Sequence, residues 1–331
     1  MPALGTRPLP ILRPLSWIYG LGVRARNLSF DIGLRAARRL PVPVVSVGNL
    51  SVGGTGKTPF VVMLVELYRA RGLRVGVLAR GYMREAGEEL NDEGRMLARR
   101  FPGLPQKQGP DRYAAGMELC AEHALDVIVL DDGFQHRRLH RDLDICLIYA
   151  PEPFGGLLPA GWLREPVRSL RRADLCVLTN AQECTEAELA RLRQRVTKLC
   201  GGREPLVGET VATEVVALPG PTISSVNSLH GQRVHLLAAI AAPLRFLRTA
   251  KRLGADVVHS NFLRDHSTIP PKVWEQAADD SDEGDAILVI TEKDEARCGF
   301  SDTTGPKRNV LRIAHRFVDE PDPGMLLPEG V

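Results

Sequence analysis

The sequence predicts an α/β chain: a mostly parallel sheet domain followed by a second, smaller α/β domain. Three observations carry this expectation. Short apolar runs alternate with longer helical patterns, one such run passes through a glycine-rich loop straight into a helix, and a stretch rich in Pro, Gly and Ser separates two regions of this kind. Strand-like and helix-like patterns in alternation are the mark of βαβ units. A chain of 331 residues, 44% hydrophobic and 25% charged, suits roughly two domains of about 150 residues, each with its own core. Its 31 Gly and 24 Pro fall short of a collagen-like or low-complexity composition.

Taken in order, residues 1–40 come first as a basic segment. They hold seven Arg and one acid, a charge of +6, while the remainder carries −3 and the whole chain +3. Basic character confined to one terminus does not make the broad cationic face of a nucleic-acid binder, and none is expected. Arg13 and Arg24 bracket only residues 14–23, far fewer than the ~20 apolar residues of a spanning helix. Leu15, Ile18, Tyr19 and Gly22 stand at helical spacing with Trp17 nearby, and Arg24, Arg26, Arg35, Arg38 and Arg39 follow. That pattern predicts an amphipathic segment at an anionic bilayer surface; a helix packed on the protein with a solvated basic face is the plainer alternative. No small-residue cleavage pattern of a signal peptide follows.

Residues 41–205 form the expected first domain, with strands at 42–47, 74–79, 126–130, 143–149 and 174–178, a helix at 60–71 and a charged helix at 183–199. Residues 206–232 read as a β-type linker. Residues 233–331 form the smaller domain, with strands at 234–240, 256–258, 286–290 and 310–313 and a solvated acidic turn at 279–285. The six cysteines, at 120, 146, 176, 184, 200 and 298, show neither a Cys-x-x-Cys pair nor a Cys/His group at zinc spacing. Reduced thiols in a cytosolic setting are expected, several of them as core residues.

The strongest local signal is GNLSVGGTGKTPF, residues 48–60, set between a strand and a helix. This is the context of a phosphate-binding loop and makes the first domain P-loop NTPase-type. Gly53, Gly54 and Gly56 lack the side chains that would hold the backbone away from an anion, so the amides of this loop, Thr55 included, can face phosphate oxygens. Lys57 would reach the β and γ phosphates of ATP, and the Thr58 hydroxyl would ligate Mg²⁺. Ser51 stands where the strict pattern asks for Gly, which makes the loop a variant. DVIVLDDGFQH, residues 126–136, then supplies carboxylates at a strand end: Asp131 and Asp132 suit Mg²⁺, which takes hard oxygen ligands. Arg80, Arg137, Arg138 and Arg164 are candidate phosphate clamps, because a guanidinium can hold phosphate through two parallel hydrogen bonds; each is equally suited to a surface ion pair.

GNLSVGGTGKTPF, ARGY at 79–82, LDDGFQH at 130–136, LLPAGWLREP at 157–166, RDH at 264–266 and TEKD at 291–294 occur in the order found in tetraacyldisaccharide 4'-kinases, and most of the chain resembles that family. The resemblance implies a membrane-associated enzyme that moves the γ-phosphate of ATP to the 4'-hydroxyl of an acylated glucosamine disaccharide 1-phosphate in lipid A and lipopolysaccharide assembly. It implies peripheral attachment at the cytoplasmic face of the bacterial inner membrane, and an active site between two α/β domains. It further implies that Lys57 and Thr58 serve ATP and Mg²⁺, that Gln135 and His136 with Asp131 and Asp132 lie near the phosphates, and that Glu165 lies near the metal. Thr291, Lys293 and Asp294 would be close to the nucleotide, with a polar helix start after the strand at 286–290 as the equally weighted alternative. NDEG at 91–94 stands where the family has GDEP, so Asp92 becomes the counterpart of the catalytic carboxylate, paired with His266. Such a pair makes sense for a sugar hydroxyl, a poor nucleophile whose proton must be accepted as the new bond forms.

The chain departs from the family in reading Asp265, His266, Ser267 for DHH, in lacking the Asn of FGNG after Phe154 and Gly155, and in placing only residues 83–90 between ARGY and NDEG, so that a lid there would be small. Asp111, in GPDRYAAG, remains a rival for the base. The residues by themselves also leave room for an ATPase switch of the partitioning type or a soluble small-molecule P-loop kinase. No protein partner is evident.

Overall fold

The computed structural model describes residues 9–82 and 87–330. The start of the expected membrane-surface segment, residues 1–8, and part of the short segment before NDEG, residues 83–86, lie outside the described residues. In chain order the elements are α1 (Arg13–Asp31), β1 (Val44–Asn49), α2 (Lys57–Ala70), β2 (Val75–Ala79), α3 (Asp92–Arg100), β3 (Gln106–Gln108), α4 (Arg112–Glu122), β4 (Val127–Asp131), β5 (Leu143–Tyr149), β6 (Leu175–Thr179) and α5 (Glu186–Leu199). There follow β7 (Leu206–Leu218), β8 (Thr222–Ser225), β9 (Arg233–Ala238), α6 (Pro243–Arg252), β10 (Asp256–Phe262), α7 (Pro271–Glu283), β11 (Ile287–Thr291), α8 (Glu292–Arg297) and β12 (Arg308–Phe317). The chain divides into two compact units: Met1–Glu89, Gly103–Thr210 and His315–Val331 make the first, and Leu90–Pro102 with Val211–Ala314 the second.

In the first unit the strand order is β3-β2-β4-β1-β5-β6-β7, and these neighbours pair in parallel. A strand covered by helices on both faces reads as a continuous apolar run, and β1 is buried along its whole length. The register sets Val47 of β1 beside Asp131 of β4, so the loop leaving β1 and the acids ending β4 come out on one edge. Chain order reverses across β1, whose neighbours are β4 and β5. Ligands of open α/β sheets bind at the carboxyl ends of strands at such a reversal.

His315, at the end of β12, lies in the core of this unit with its ring 4.8 Å from that of Phe60 and 4.9 Å from that of Phe317. Its Nε2 finds no hydrogen-bond partner among the described residues. Burial pushes its pKa down to about 4, so the ring stays neutral in the folded state. The unfolded chain takes up this proton first, near the ordinary value of about 6.5. Stability is therefore complete above that value and declines as the pH falls from there toward 4, by about 2 kcal/mol for this one group on reaching pH ~5. Urea unfolding at pH 7 and pH 5 should show the decline, and His315→Leu should flatten it.

The second unit has strand order β10-β9-β11-β12-β7-β8. β9, β10, β11 and β12 are parallel, and β8 closes the edge antiparallel to β7. Chain order reverses again across β9, which carries β10 on one side and β11 on the other. Each unit is thus mixed α/β with a mostly parallel sheet, as the alternating pattern predicts. The stretch at 206–232 is more ordered than a linker: it holds the thirteen-residue β7, β8 and a short 3-10 turn at Val226–Leu229. The acidic stretch at 279–285 is mainly the last turn of α7. Acids at a helix C-terminus oppose the macrodipole, which is why the sequence reads there as a turn. β3 escaped the pattern because its residues, QKQ, are only partly buried.

Candidate active site

The phosphate-loop geometry begins with β1. Asn49, fully buried, donates from Nδ2 to Thr55 Oγ1 (2.8 Å) and to Ser51 Oγ (3.4 Å), and its carbonyl accepts from Gln135 Nε2 (2.8 Å). From β6, Thr179 Oγ1 donates to the carbonyl of Thr55 (2.7 Å). Thr55 is therefore buried as a strut of the loop, and its hydroxyl is committed inward; only its main chain could serve an anion. Gly56, with φ 86°, turns the chain into α2 in the left-handed region that suits glycine. No side chain caps α2, so the first-turn amides of a fourteen-residue helix are left for an anion. Gly54 is exposed, and a Cβ built on it would meet no heavy atom within 4 Å. An open rim over an uncapped helix end fits a polyphosphate.

Lys57 Nζ lies 3.4 Å from Asp132 Oδ1 and 3.4 Å from Asn49 Oδ1. Arg164 Nη1 lies 2.7 Å from Asp132 Oδ2 and donates to Gln135 Oε1 at 3.3 Å. Burial opposes ionisation of Asp132, but the Lys57 and Arg164 cations outweigh it and hold the carboxyl well below the usual carboxylate range. Asp131 ends β4 one residue before it. Thr58 follows Lys57 in the first turn of α2. Among the described residues no group of three or more His, Cys, Asp or Glu converges as a metal cage. Mg²⁺ does not need one, since it is commonly held by one or two carboxylates together with phosphate oxygens.

His136 lies in the turn after these acids. Burial, then Arg112 and Arg141, push its pKa down to about 4, and its buried Nε2 has no hydrogen-bond partner among the described residues. Arg112 was not singled out by its sequence pattern, yet it is buried, and its charge is disfavoured by burial and by Arg80 and favoured by Asp132, Asp111 and Asp131. Arg80 is exposed just beyond β2. Of the other expected clamps, Arg137 is engaged with Asp31 (2.7 Å) and with the carbonyl of Asn27 (3.1 Å).

Glu165 corrects an expectation. Rather than facing a metal, it is 1% exposed, with Oε2 accepting from Arg172 Nη1 (2.7 Å) and Asn27 Nδ2 (2.9 Å) and Oε1 accepting from Arg172 Nη2 (3.0 Å). Both oxygens are used, in a bidentate ion pair with Arg172, and the hydrogen bond from Asn27 fastens α1 to it. The rest of the inner face of α1 is polar too. Ser16 Oγ donates to the carbonyl of Leu157 (2.9 Å), Tyr19 Oη donates to the carbonyl of Arg164 (2.8 Å), and Arg26 donates to the carbonyl of Gln135. Tyr19 thus belongs to the inner face and not to the apolar one. Outward, Ile11, Leu15, Trp17, Ile18 and Leu21 are exposed, Trp17 by 82%. Arg38 is turned onto the ring of Tyr113 (3.6 Å) and Arg39 onto Asp142 (3.0 Å), so the basic run is less free for anionic lipid than the sequence suggests.

In the second unit Asp92, at the start of α3, meets His266 in the loop after β10: His266 Nδ1 is 2.9 Å from Asp92 Oδ2. The Asp92 hydrogen bond raises the pKa of His266. Burial opposes ionisation of Asp92, but the His266 hydrogen bond, Arg297 and Arg95 hold it below its ordinary value. His266, with φ 60°, and Asp132, with φ 54°, both adopt the left-handed backbone region. Non-glycine residues persist there only when surrounding structure holds them, often at functional sites. Asp111, the rival base, is an exposed cap of α4 whose Oδ1 accepts from the amides of Tyr113 (3.0 Å) and Ala114 (3.2 Å).

The TEKD side chains form the polar helix start that was the alternative to a nucleotide role. Thr291 caps α8, donating from Oγ1 to Asp294 Oδ2 (2.5 Å) and accepting from the Asp294 amide (3.3 Å). Asp294 is buried and accepts from the Ala239 amide (3.0 Å), and Lys293 pairs with Glu93 (2.7 Å). The motif is a helix start that ties α8 to the loop after β9.

A lysine at the head of an uncapped helix, beside acids at a strand end, is chemistry for holding the phosphates of a nucleotide, and a carboxylate–histidine pair is chemistry for deprotonating an alcohol; the class is that of P-loop phosphotransferases. A sequence model of the family described as tetraacyldisaccharide-1-P 4'-kinase matches residues 9–327. The tetraacyldisaccharide 4'-kinase of Anaeromyxobacter sp. (strain Fw109-5) is 37% identical over 330 residues, which cover 93% of this chain and 88% of that protein. The one from Geobacter metallireducens is 38% identical over 312 residues, covering 88% and 89%. A crystal structure of LpxK from Aquifex aeolicus, an "apo" form in complex with ATP, superposes with a TM-score of 0.71 at 30% identity, covering 92% of this chain and 94% of that one. The chain belongs to the tetraacyldisaccharide 4'-kinase family, as its motifs indicate.

Proposed function

We propose that the chain transfers the γ-phosphate of ATP to the 4'-hydroxyl of a tetraacyldisaccharide 1-phosphate in lipid A biosynthesis. The observation that carries this is Lys57, set 3.4 Å from both Asp132 and Asn49 at the head of an uncapped helix. The amides of residues 53–58 receive the phosphates and Lys57 neutralises their charge. Thr58 with Asp131 or Asp132 would hold Mg²⁺, which would supply positive charge to offset that of the transferred group. Arg164, held by Asp132 and Gln135, adds a cation at the same strand ends. Asp92 accepts the proton of the sugar hydroxyl, and His266 keeps the carboxylate oriented and ionised. Transfer of phosphate from ATP to the acylated disaccharide 1-phosphate in detergent micelles tests the reading. Its support is a lipid product with one added phosphate, and consumption of ATP without such a product removes it.

The lipid acceptor stays in a bilayer, and α1 is suited to meet it there: its polar face is turned inward and its apolar face outward. Among the described residues no helix is long and apolar enough to cross a membrane. We therefore read the protein as attached peripherally to the anionic cytoplasmic face of the inner membrane. The triple variant Trp17→Glu, Ile18→Glu, Leu21→Glu should lose sedimentation with phosphatidylglycerol vesicles while keeping activity on micellar substrate; unchanged sedimentation would contradict the docking role of this face.

A further inference from the structure

Asp92 has more donors than an acceptor of one proton needs. Its Oδ2 lies 2.9 Å from His266 Nδ1 and 2.9 Å from Arg297 Nε, and its Oδ1 lies 2.9 Å from Arg95 Nη2. An ionised carboxylate offers about four acceptor positions. His266 and Arg95 take one position on each oxygen by hydrogen bonding, Arg297 lies against Oδ2 as an ion pair whose Nε–H is not aligned for a hydrogen bond, and one position of Oδ1 is left for a hydroxyl.

The three donors differ in how firmly they are held. Arg95 sits one turn along the same helix as Asp92 and moves with it, and His266 is a partly exposed loop residue. Arg297 is 6% exposed, and its Nη1 donates to the carbonyls of Ala239 (2.8 Å) and Ser267 (3.4 Å) and lies 3.7 Å from Asp294 Oδ1. Asp294 is itself anchored to the Ala239 amide at 3.0 Å. The guanidinium is therefore fixed from α8, from the loop after β9 and from the loop after β10, where these elements converge at the carboxyl ends of the strands flanking the reversal of the second unit. A planar guanidinium anchored through Nη1 at that many points keeps its charge at a fixed place beside Oδ2, which a flexible lysine ammonium would not.

We propose that Arg297 is a positioning residue for phosphoryl transfer: it pins Oδ2 of Asp92 so that the remaining acceptor position of Oδ1 is presented to the sugar hydroxyl. This rests on the reading of Asp92 as the base. The groups facing Asp92 are Arg95 from α3, Arg297 from α8 and His266 from the loop after β10, and around these lie Glu93, Lys293, Asp294 and Asp265. Arg297 is among the cations that weaken the carboxylate as a base. Its removal should therefore make Asp92 a stronger base and yet a poorer catalyst, an opposition that loss of charge alone would not produce.

The test compares the full-length enzyme with R297M, R297K and D92N, using ATP, Mg²⁺ and acylated disaccharide 1-phosphate. In R297M kcat should fall on the order of 10²-fold, the loss that about 1 Å of misplacement produces. KM for ATP should stay within about twofold, and the acid limb of kcat/KM should move to higher pH because Asp92 loses a neighbouring cation. R297K, which keeps the charge without the fork, should return the acid limb toward its original pH while restoring only part of kcat; should R297M not fold, this split between limb and rate decides alone. An R297M enzyme with unchanged kcat and acid limb overturns the assignment, as does full recovery of kcat in R297K. With D92N inactive, either result removes Arg297 only, whereas a fully active D92N removes the base and the positioning residue together.

Discussion

Lys57→Met should abolish phosphoryl transfer, lowering kcat by at least about 10³-fold, the scale on which removal of a preorganised charge from a transition state is felt. The lysine is not a surface cation replaceable by its neighbours. Its ammonium is held between Asn49 Oδ1 and Asp132 Oδ1, each at 3.4 Å, and Asn49 also braces the loop through Thr55 and Ser51. Arg164 already spends its Nη1 on Asp132 and Gln135 and cannot take over the position. The substitution leaves Asp132 with Arg164 as its remaining partner, so its carboxyl should also be protonated more easily. Steady-state kinetics and nucleotide titration of the variant check both consequences. Lys57→Arg should not rescue, because a planar guanidinium does not fit a site formed for a point charge.

Asp92→Asn should lower kcat by about 10² to 10⁴-fold, the usual contribution of a general base, and leave nucleotide binding nearly unchanged. The amide keeps the size of the carboxylate but cannot accept a proton. Because the wild-type carboxyl is held below its ordinary pKa by His266, Arg297 and Arg95 against its burial, it stays ionised to lower pH than a free aspartate. Its activity is therefore fully present above the ordinary carboxylate range and is lost only as pH falls through the depressed value. A pH profile in which the residual activity of the variant lacks this acid limb checks the assignment. Asp111→Asn should behave oppositely, since Asn also caps helices: activity should be close to wild type.

The sheet–loop–helix of the first unit was legible because three signals agree there: an apolar run, glycines at the turn and a basic and hydroxyl pair at the helix head. The acids ending β4 were legible for the same reason, since a parallel strand adjacent to β1 must end on the same edge. Asp92 and His266 stand 174 residues apart, and no local pattern joins them; only the family resemblance brought them together. The partners of Glu165 and of the TEKD residues, Arg172 with Asn27 in one case and the Ala239 amide with Glu93 in the other, come from other parts of the chain, so no local pattern shows them. Their polar character suggested ligands where the fold supplies partners of its own. Arg112 and Arg297 escaped notice for the converse reason: a single arginine in a helix is ordinary until burial and an ion pair single it out. Tyr19 was placed on the wrong face of α1 because its hydroxyl bonds to the carbonyl of Arg164, a partner no periodicity reveals. The excursion of residues 90–102 into the second unit likewise leaves no mark on a pattern read in chain order.

The most direct measurement is the ratio of phosphorylated lipid to ADP formed when the purified protein is given ATP, Mg²⁺ and an acylated disaccharide 1-phosphate. A ratio of one, with the new phosphate on the 4' oxygen, is the predicted result. ADP and inorganic phosphate released with the lipid left unmodified would mark the protein as an ATPase switch and contradict the account.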